Sequence, residues 1–420
     1  MSSRIREAAP PWRGRRVVLG VTGGIAAYKA VQIARDLTLA GAEVDVVTTR
    51  SAGEFVRDLT FEGVTGRRVC RELFEADGAA LHIRLGREAD LVVVAPATAD
   101  FLARAAQGRA DDLLTTTLLA TSAPVLLCPA MNDRMWAHPQ VQANARHCAD
   151  QLSYTMLGPA SGALAAGEAS GPGRMVEPES VVAWCGRLLA RAGALQGRRV
   201  LVTAGPTREP IDPVRYVGNR SSGRMGFALA EQAWLQGADV VLVSGPSALA
   251  DPEGVEVIRV ETAQQMFESV RAQIAQADLL LYAAAVSDYR PIQAAERKLK
   301  RSETGSELAV ELTANPDIAL ETRDQRRSDA VAVGFALETD DLLANAKAKL
   351  AAKSFDLIVA NDARDPEAGF EVETNRVTFL HADGRTEPLE VMSKSAVARE
   401  VLDRAASLLA ARRGGSGQAQ

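Results

Sequence analysis

Short apolar runs alternate with amphipathic stretches along most of this chain. Residues 14–24 (GRRVVLGVTGG) read as a basic flank, an apolar strand and a glycine turn. Residues 25–40 follow with Ala27, Val31, Ala34 and Leu37 at helical spacing, which predicts a helix with one apolar face. AEVDVVTT (42–49), DLVVVAPAT (90–98) and APVLLCPAM (123–131) are continuous apolar runs of the kind that forms buried parallel strands. From residue 197 the style starts again with GRRVLVTAGP (197–206). ADVVLVSG (238–245), VEVIRV (255–260), DLLLYAAA (278–285), VAVGFA (331–336) and FDLIVAND (355–362) then supply further strands. Helical patterns at 222–236 and 340–353 separate them.

Strand and helix in alternation argue for sheets with helices on both faces. The two GRRV openings, each leading to a glycine turn preceded by Thr, suggest two such domains. The expected fold is therefore α/β, with two Rossmann-like or flavodoxin-like three-layer α/β/α domains and mainly parallel sheets. Their expected spans are 14–190 and 197–408. Residues 158–174 are rich in Gly, Ala and Ser and read as irregular, either a linker or a mobile lid over a site. Residues 179–193 read as a helix leading to the second domain, and GGSGQAQ at the end as a disordered tail.

Composition narrows the classes. With 48 basic against 53 acidic residues, there is no global positive field to draw nucleic acid or an anionic membrane. No apolar run approaches the roughly 18–20 residues that span a bilayer, and the first residues are charged without a signal peptide's apolar core. Cysteines at 70, 128, 148 and 185 form no CxxC pair and have no histidine at zinc-ligand spacing. A cytoplasmic protein without disulfides is the expectation. Aromatic residues make up only 5%, so its cores must rest on Ala, Val and Leu.

Neither glycine turn, TGGIAAYK (22–29) nor TAGPTREP (203–210), matches GxGxxG. The second strands end in Thr48-Thr49 and Ser244-Gly245, not in the acid that holds a dinucleotide's ribose. Hydroxyls and bare backbone suit a phosphate or mononucleotide better, so an NAD-linked oxidoreductase is disfavoured.

In the first half, TGGIAAYK, His82, APATAD (95–100), GRADDLLTTTLLA (108–120) and PAMNDRMWAHP (129–139) together resemble the flavin-dependent cysteine decarboxylases, in particular phosphopantothenoylcysteine decarboxylase. The resemblance covers about residues 14–178. It implies FMN held by the backbone and hydroxyls of Gly23, Gly24, Thr49, Pro96, Ala97 and Thr98. It also implies that His82 assists oxidation and decarboxylation while Asn132 holds the substrate carboxylate. Oxidation of the thiol-bearing carbon to a thioaldehyde places the carboxylate β to C=S, so loss of CO2 gives a stabilised enethiolate, and return of a hydride and a proton completes the reaction. One departure stands out. The family's lid carries Leu-Ala-Cys-Gly, whereas this chain reads LAAGEASGPGRM, with Ala166 in the place of the proton-donating cysteine. Cys128 and Glu168 are the candidate substitutes, although Cys128 follows an apolar run and reads better as a core residue.

In the second half, TAGPTREPIDPVRYVGNRSSGRMG (203–226) combines a Gly-Pro turn, Arg208, Arg215 and Arg220, and a helix start, features that together suit phosphate. Asp288 in AAAVSDYRP lies just past a strand end, placed for Mg2+ or ribose. With KLKR (298–301), NPDI (315–318), GFALET (334–339), KAKLAAK (347–353) and VAND (359–362), these motifs resemble phosphopantothenate–cysteine ligase over about 197–405. The resemblance implies CTP as co-substrate, an acyl-cytidylate handled by Asn219 with Arg215, and Lys298 against the transferring phosphate. It implies a CTP and metal site made by Ala284, Asp288, Asn315, Pro316, Asp317, Ile318, Phe335, Lys349 and Lys353, with Asp288 as metal ligand.

The implied substrates are 4′-phosphopantothenate, L-cysteine and CTP, and the ligase product is the decarboxylase substrate. The alternative is an active ligase fused to an FMN-binding domain that is structural or regulatory, because Ala166 replaces the lid cysteine. The resemblance further implies a homo-oligomer, with decarboxylase trimers, flavin near subunit contacts, and ligase dimers building a dodecamer.

Overall fold

The computed structural model describes residues 11–74, 80–163, 170–190, 193–304, 307–338, 341–362 and 372–416. The chain divides into two compact units, Met1–Arg191 and Ala192–Gln420. Both are α/β with mainly parallel sheets, as the alternating pattern predicts.

Unit 1 is built on a five-stranded sheet of β1 (Arg16–Val21), β2 (Glu43–Thr48), β3 (Leu91–Ala97), β4 (Val125–Pro129) and β5 (Thr155–Met156), in the order β2-β1-β3-β4-β5 and parallel throughout. All of β3 and β4 is buried, which is why those segments read as unbroken apolar runs. Helices α1 (Ala27–Leu39), α2 (Asp58–Thr65), α3 (Leu81–Glu88), α4 (Ala99–Gln107), α5 (Leu113–Ala120), α6 (Asp133–Ala137), α7 (Pro139–Asp150) and α8 (Pro178–Leu189) complete the unit. Local chemistry sets several of their starts. Thr98 accepts from Phe101 N at the head of α4, Asp112 and Thr115 form a reciprocal capping box at α5, and Asn132 caps α6.

The Gly-rich stretch at 158–174 is where the reading changes. It is neither a linker nor wholly irregular, since β6 (Ala160–Ala163) and β7 (Ser170–Arg174) form an antiparallel hairpin inside unit 1. Small residues let this hairpin lie flat on its neighbours. Gly173 has φ +151°, and a Cβ there would sit 2.2 Å from the Met131 carbonyl oxygen. That approach is fixed by a hydrogen bond from Met131 N to Gly173 O of 3.0 Å. The hairpin tip, with Ala166 and Glu168, falls outside the described residues.

Unit 2 holds an eight-stranded sheet whose first six strands are parallel. These are β8 (Arg199–Ala204), β11 (Asp239–Ser244), β12 (Glu256–Arg259), β13 (Leu279–Tyr282), β16 (Val331–Glu338) and β17 (Leu357–Asp362), with β19 (Thr378–His381) and β20 (Thr386–Pro388) added antiparallel at one edge. The order is β12-β11-β8-β13-β16-β17-β19-β20. Short ribbons of β9 (Arg208–Pro210) with β10 (Tyr216–Gly218), β14 (Tyr289–Pro291) with β15 (Leu312–Ala314), and β18 (Thr374–Asn375) with β21 (Met392–Ser393) decorate the strand ends. The helices are α9 (Arg224–Leu235), α10 (Ala263–Gln273), α11 (Arg301–Thr304), α12 (Ile318–Glu321), α13 (Leu342–Ala352) and α14 (Lys394–Ser416). A Cβ on Gly226 would lie 2.4 Å from that of Ala204, so this glycine lets α9 press against β8 and brings its N-terminus over the strand end. Among the described residues no helix is long and apolar enough to cross a membrane.

Candidate functional sites at the strand ends of each unit

Each unit has a cavity at the carboxyl ends of its central strands, where open α/β sheets place ligands. In unit 1 the cavity measures about 810 Å3. Its walls are the turn after β1 (Gly23, Gly24), the end of β2 (Thr49, Arg50, Ser51), the start of α4 (Thr98), the loop after β4 (Met131, Asn132) and the hairpin (Ala163, Gly173). Thr22 ties two of these walls together. Its hydroxyl donates to Pro96 O at 2.7 Å and accepts from Thr98 N at 3.2 Å, so it ties the β1 turn to the end of β3. Thr49 and Thr98 hydroxyls are spent on capping Ala52 N and Phe101 N, both at 3.3 Å.

Sequence reasoning and geometry coincide at Gly23, Gly24, Thr49, Thr98 and Asn132, which all line this cavity. Pro96 and Ala97 lie in β3 behind it, Ala97 fully buried and Pro96 serving through its carbonyl. Asn132 accepts from Arg134 N through Oδ1 at 2.9 Å, which leaves its NH2 group for a ligand carboxylate. His82 does not line the cavity. It stands on α3, half-buried, with Nδ1 buried and without a hydrogen-bond partner among the described residues. Cys128 is fully buried within β4, where burial pushes its thiol well above the usual range; this is the core position its flanking apolar run suggests.

Two residues of the unit 1 site escaped sequence reasoning. Lys29 is buried, donating from Nζ to Met175 O at 3.0 Å and pairing with Glu177 at 3.1 Å, so it anchors the chain just past the hairpin. Arg104, on the cavity wall, bridges Asp100, Asp111 and Asp112 at 3.0–3.2 Å. A lysine on an otherwise apolar helix face was the only available signal for the first.

The unit 2 cavity is smaller, about 490 Å3, and adds four asparagines to a wall of lysines and aspartates. Asn219, Ala284, Asp288, Asn315, Pro316, Asp317, Ile318, Phe335, Lys349 and Lys353 all contribute to its wall, from segments spread over 135 residues of chain. Their placement is cross-braced. Asn219 Nδ2 donates to the carbonyls of Ala285 and Val286, both at 3.1 Å. Asn315 Nδ2 donates to Ser287 O at 2.8 Å, and its backbone N to Asp288 O at 2.8 Å. Asp317 caps α12 and pairs with Lys353 at 2.9 Å. Thr203 repeats the part of Thr22, its hydroxyl accepting from Ala284 N at 3.2 Å.

Arg215 and Lys298 lie outside this wall. Lys298 is exposed. Arg215 is held by Asp212, which accepts from its Nε at 3.0 Å, its Nη2 at 2.5 Å and the backbone of Val214, Arg215 and Leu299. Those donors hold the Asp212 carboxyl well below the usual carboxylate range. Arg215 also donates to Leu299 O at 2.9 Å, so one buried carboxylate organises both the arginine loop and the segment carrying Lys298. Arg208, lying over the Tyr216 ring, and exposed Arg220 are not on the cavity wall either. The arginine that is on the wall is Arg224, from SSGRMG, accompanied by Asn375 and Lys394.

Comparison with known proteins follows this division into two cavities. The Flavoprotein family model matches residues 6–189. The model of the DNA/pantothenate metabolism flavoprotein C-terminal domain matches residues 195–409. The coenzyme A biosynthesis bifunctional protein CoaBC of Vibrio vulnificus (strain YJ016) is 43% identical over 398 residues, covering 94% of this chain and 98% of its own. The chain belongs to the bifunctional coenzyme A biosynthesis family. A member from Mycobacterium tuberculosis (strain H37Rv) is 45% identical over 410 residues, 94% of this chain and 97% of its own. Among solved structures, the C-terminal domain of a CoaBC protein matches with 40% identity over 52% of this chain and 98% of its own, at TM-score 0.44.

The chain is accordingly an enzyme with two activities, a carbon–nitrogen ligase and a flavoprotein decarboxylase of coenzyme A biosynthesis. The alternative of a ligase fused to a merely structural flavin domain is not favoured, since the bifunctional relatives match almost end to end.

Proposed function

We propose that residues 197–408 join L-cysteine to 4′-phosphopantothenate at the expense of CTP, through an acyl-cytidylate, and that residues 14–190 decarboxylate the adduct to 4′-phosphopantetheine with bound FMN. The observation that carries this reading is the contrast between the two cavities: one roomy, glycine-floored and walled by a hairpin, the other crowded with Lys, Asn and Asp.

A planar flavin fits the first. Gly24 leaves open space where a Cβ would stand, with only the Thr98 methyl at 3.7 Å, and the volume is within the 300–1,000 Å3 usual for cofactor pockets. Gly23, Gly24 and the β2 end would hold the group, and FMN when bound supplies reversible hydride transfer at the thiol-bearing carbon. Asn132 orients the substrate carboxylate through its NH2, and the hairpin keeps water from the reacting carbon.

In the second cavity, Asn219 sits beside the acyl carbon, and Lys349 and Lys353 face the nucleotide. Asp288 would hold Mg2+, which would supply charge neutralisation for the reacting phosphates. Among the described residues no cluster of three or more His, Cys, Asp or Glu offers a self-sufficient metal cage, which suits a metal brought with the nucleotide. His82, Arg215 and Lys298 each lie off the cavity of their own chain; this placement supports a homo-oligomer in which a second copy completes both sites. A cytoplasmic location agrees with the substrates.

The test is anaerobic incubation of the purified protein with 4′-phosphopantothenate, L-cysteine, CTP and Mg2+, with products identified by mass spectrometry. CMP, pyrophosphate, CO2 and phosphopantetheine are expected. Absence of CMP would sink the nucleotide assignment, and products that stop at phosphopantothenoylcysteine would overturn decarboxylation by unit 1.

A further inference from the structure

Unit 1 has a second cavity, of about 220 Å3, which shares no residue with the larger one. Its walls come from β2, the edge strand of the sheet, from the segment 67–70 and from α3. The segment is fixed to the strand: Cys70 N donates to Val46 O at 2.9 Å, and Thr48 N to Cys70 O at 3.1 Å. Leu81 and Leu85 hold α3 in the core that contains Val18, Val47 and Val92. The volume lies below the roughly 300–1,000 Å3 of cofactor pockets, so an occupant must be small.

The polar groups of this cavity ask for both signs of charge. Asp45 breaks the apolar run of β2, yet it is only 5% exposed. A buried carboxylate needs partners for its oxygens, and Arg67 serves only one of them. Its Nε and Nη2 both donate to Oδ1, at 3.0 and 2.7 Å, while Oδ2 is buried with no partner among the described residues. Arg68 and Arg84 contribute to the same wall and are exposed, so they can meet an anionic group at little desolvation cost.

The charges around the cavity nearly cancel. Glu43 lies 3.2 Å from Arg16 and 3.6 Å from Arg67, and Glu88 pairs with Arg16 and lies 4.0 Å from Arg84. Arg16, Arg67, Arg68 and Arg84 thus stand against Glu43, Asp45 and Glu88, which leaves one net positive charge. That balance does not suit a dianion such as hydrogen phosphate, which would also face the Asp45 carboxylate. A molecule with an ammonium for Asp45 and a carboxylate for the exposed arginines satisfies both signs. Val69 and Leu81 add apolar surface for a short side chain.

We propose that this cavity is a binding site for a small α-amino acid, held as the zwitterion with its ammonium on Asp45 Oδ2 and its carboxylate on Arg68 and Arg84. The site is separate from both reaction cavities and depends on neither catalytic assignment. α3 forms one of its walls and carries His82, so an occupant bears on unit 1 through that helix.

The test is titration of the purified full chain with L-serine, read by calorimetry and by amide hydrogen exchange. L-serine is the probe because L-cysteine would also enter the ligase cavity. Saturable binding is expected, with slowed exchange in α3 and in residues 67–70. Ethanolamine, which lacks the carboxylate, and N-acetyl-L-serine, which lacks the ammonium, should each bind about tenfold more weakly, the scale of one charge-assisted contact. Arg68→Gln, at an exposed position, should weaken L-serine by about fivefold, and Asp45→Asn by about tenfold or more. Absence of L-serine binding to wild type would overturn the site, as would equal affinities of wild type and Arg68→Gln. Protection confined to segments other than α3 and 67–70 would overturn it too. Tighter binding of inorganic phosphate than of L-serine would overturn the zwitterion. If Asp45→Asn does not fold, Arg68→Gln and the two truncated ligands still decide.

Discussion

The two units begin alike and end in different chemistry. Both place a Thr at the end of the first strand, and in both that hydroxyl staples the strand to the neighbour crossing over from it: Thr22 to the Pro96–Thr98 segment, Thr203 to Ala284. The echo between GRRVVLGVTGG and GRRVLVTAGP is thus the signature of a brace that holds the cavity floor. What separates the cavities is what the later segments add. Unit 1 adds a hairpin of small residues and a floor of backbone, suited to a flat ring held by shape. Unit 2 adds lysines, asparagines and aspartates from several later segments, suited to phosphates held by charge. A shared frame carries two reactions because ligand chemistry resides in the loops beyond the strand ends.

The comparison breaks most sharply at Gly173. Replacing it with Ala forces a Cβ into the Met131 carbonyl, so the hairpin must lift from the Asn132 loop. Visible flavin absorbance should drop, and decarboxylation of phosphopantothenoylcysteine should fall by about 100-fold, the scale of an ångström misplacement, while CMP formation is unaffected. Retention of both flavin and turnover would show that this close approach does not seat the hairpin.

Asp212→Asn makes the reciprocal experiment in unit 2. Without the carboxylate, Arg215 and the Leu299 segment lose their common anchor, and ligation should slow by about tenfold or more, with decarboxylation of supplied substrate intact. The sign of the pH dependence follows from the depressed carboxyl. Its contribution to stability is present above the unfolded value near about 4 and is lost as pH falls toward the folded one. Acid-unfolding curves of Asp212→Asn should therefore be shallower on that side; a curve superimposable on wild type would refute the anchor.

The smallest effect is expected at Lys29. Lys29→Met keeps the stem buried and removes the contacts to Met175 O and Glu177, costing about 1–2 kcal/mol and read as a lower melting temperature for unit 1. A melting temperature at or above wild type would mean that desolvating the ammonium cancels what its partners return.

Much of this was legible in the chain. The buried strands β3 and β4 announce themselves as apolar runs, since a parallel strand covered on both faces tolerates little else. The Asn132 and Asp288 segments follow strands directly, so their positions at cavity mouths could be read from order alone. The hairpin at 158–174 could not, because strands made of Gly, Ala and Ser have no alternation of apolar and polar residues to betray them; what specifies β6 and β7 is the surface they lie on. Asn375 and Lys394, which meet Arg224 of the 203–226 stretch on the cavity wall, were equally hidden. Each is a polar residue in ordinary surroundings, and only the β18–β21 ribbon and the pairing of α14 with α9 unite them.

Local pattern and spacing settle the class of fold, the two-domain plan and the motifs at the strand ends, because these depend on which short segments can bury themselves and which residues must follow them. Packing settles which side chains share a cavity. Arg215 is next to the motif that lines the ligase pocket yet turns away to Asp212, while Lys394 arrives from 170 residues further along. Sequence order constrains contacts within a turn or a strand; contacts between distant segments are set by how sheets and helices stack, and the chemistry of both sites depends on those.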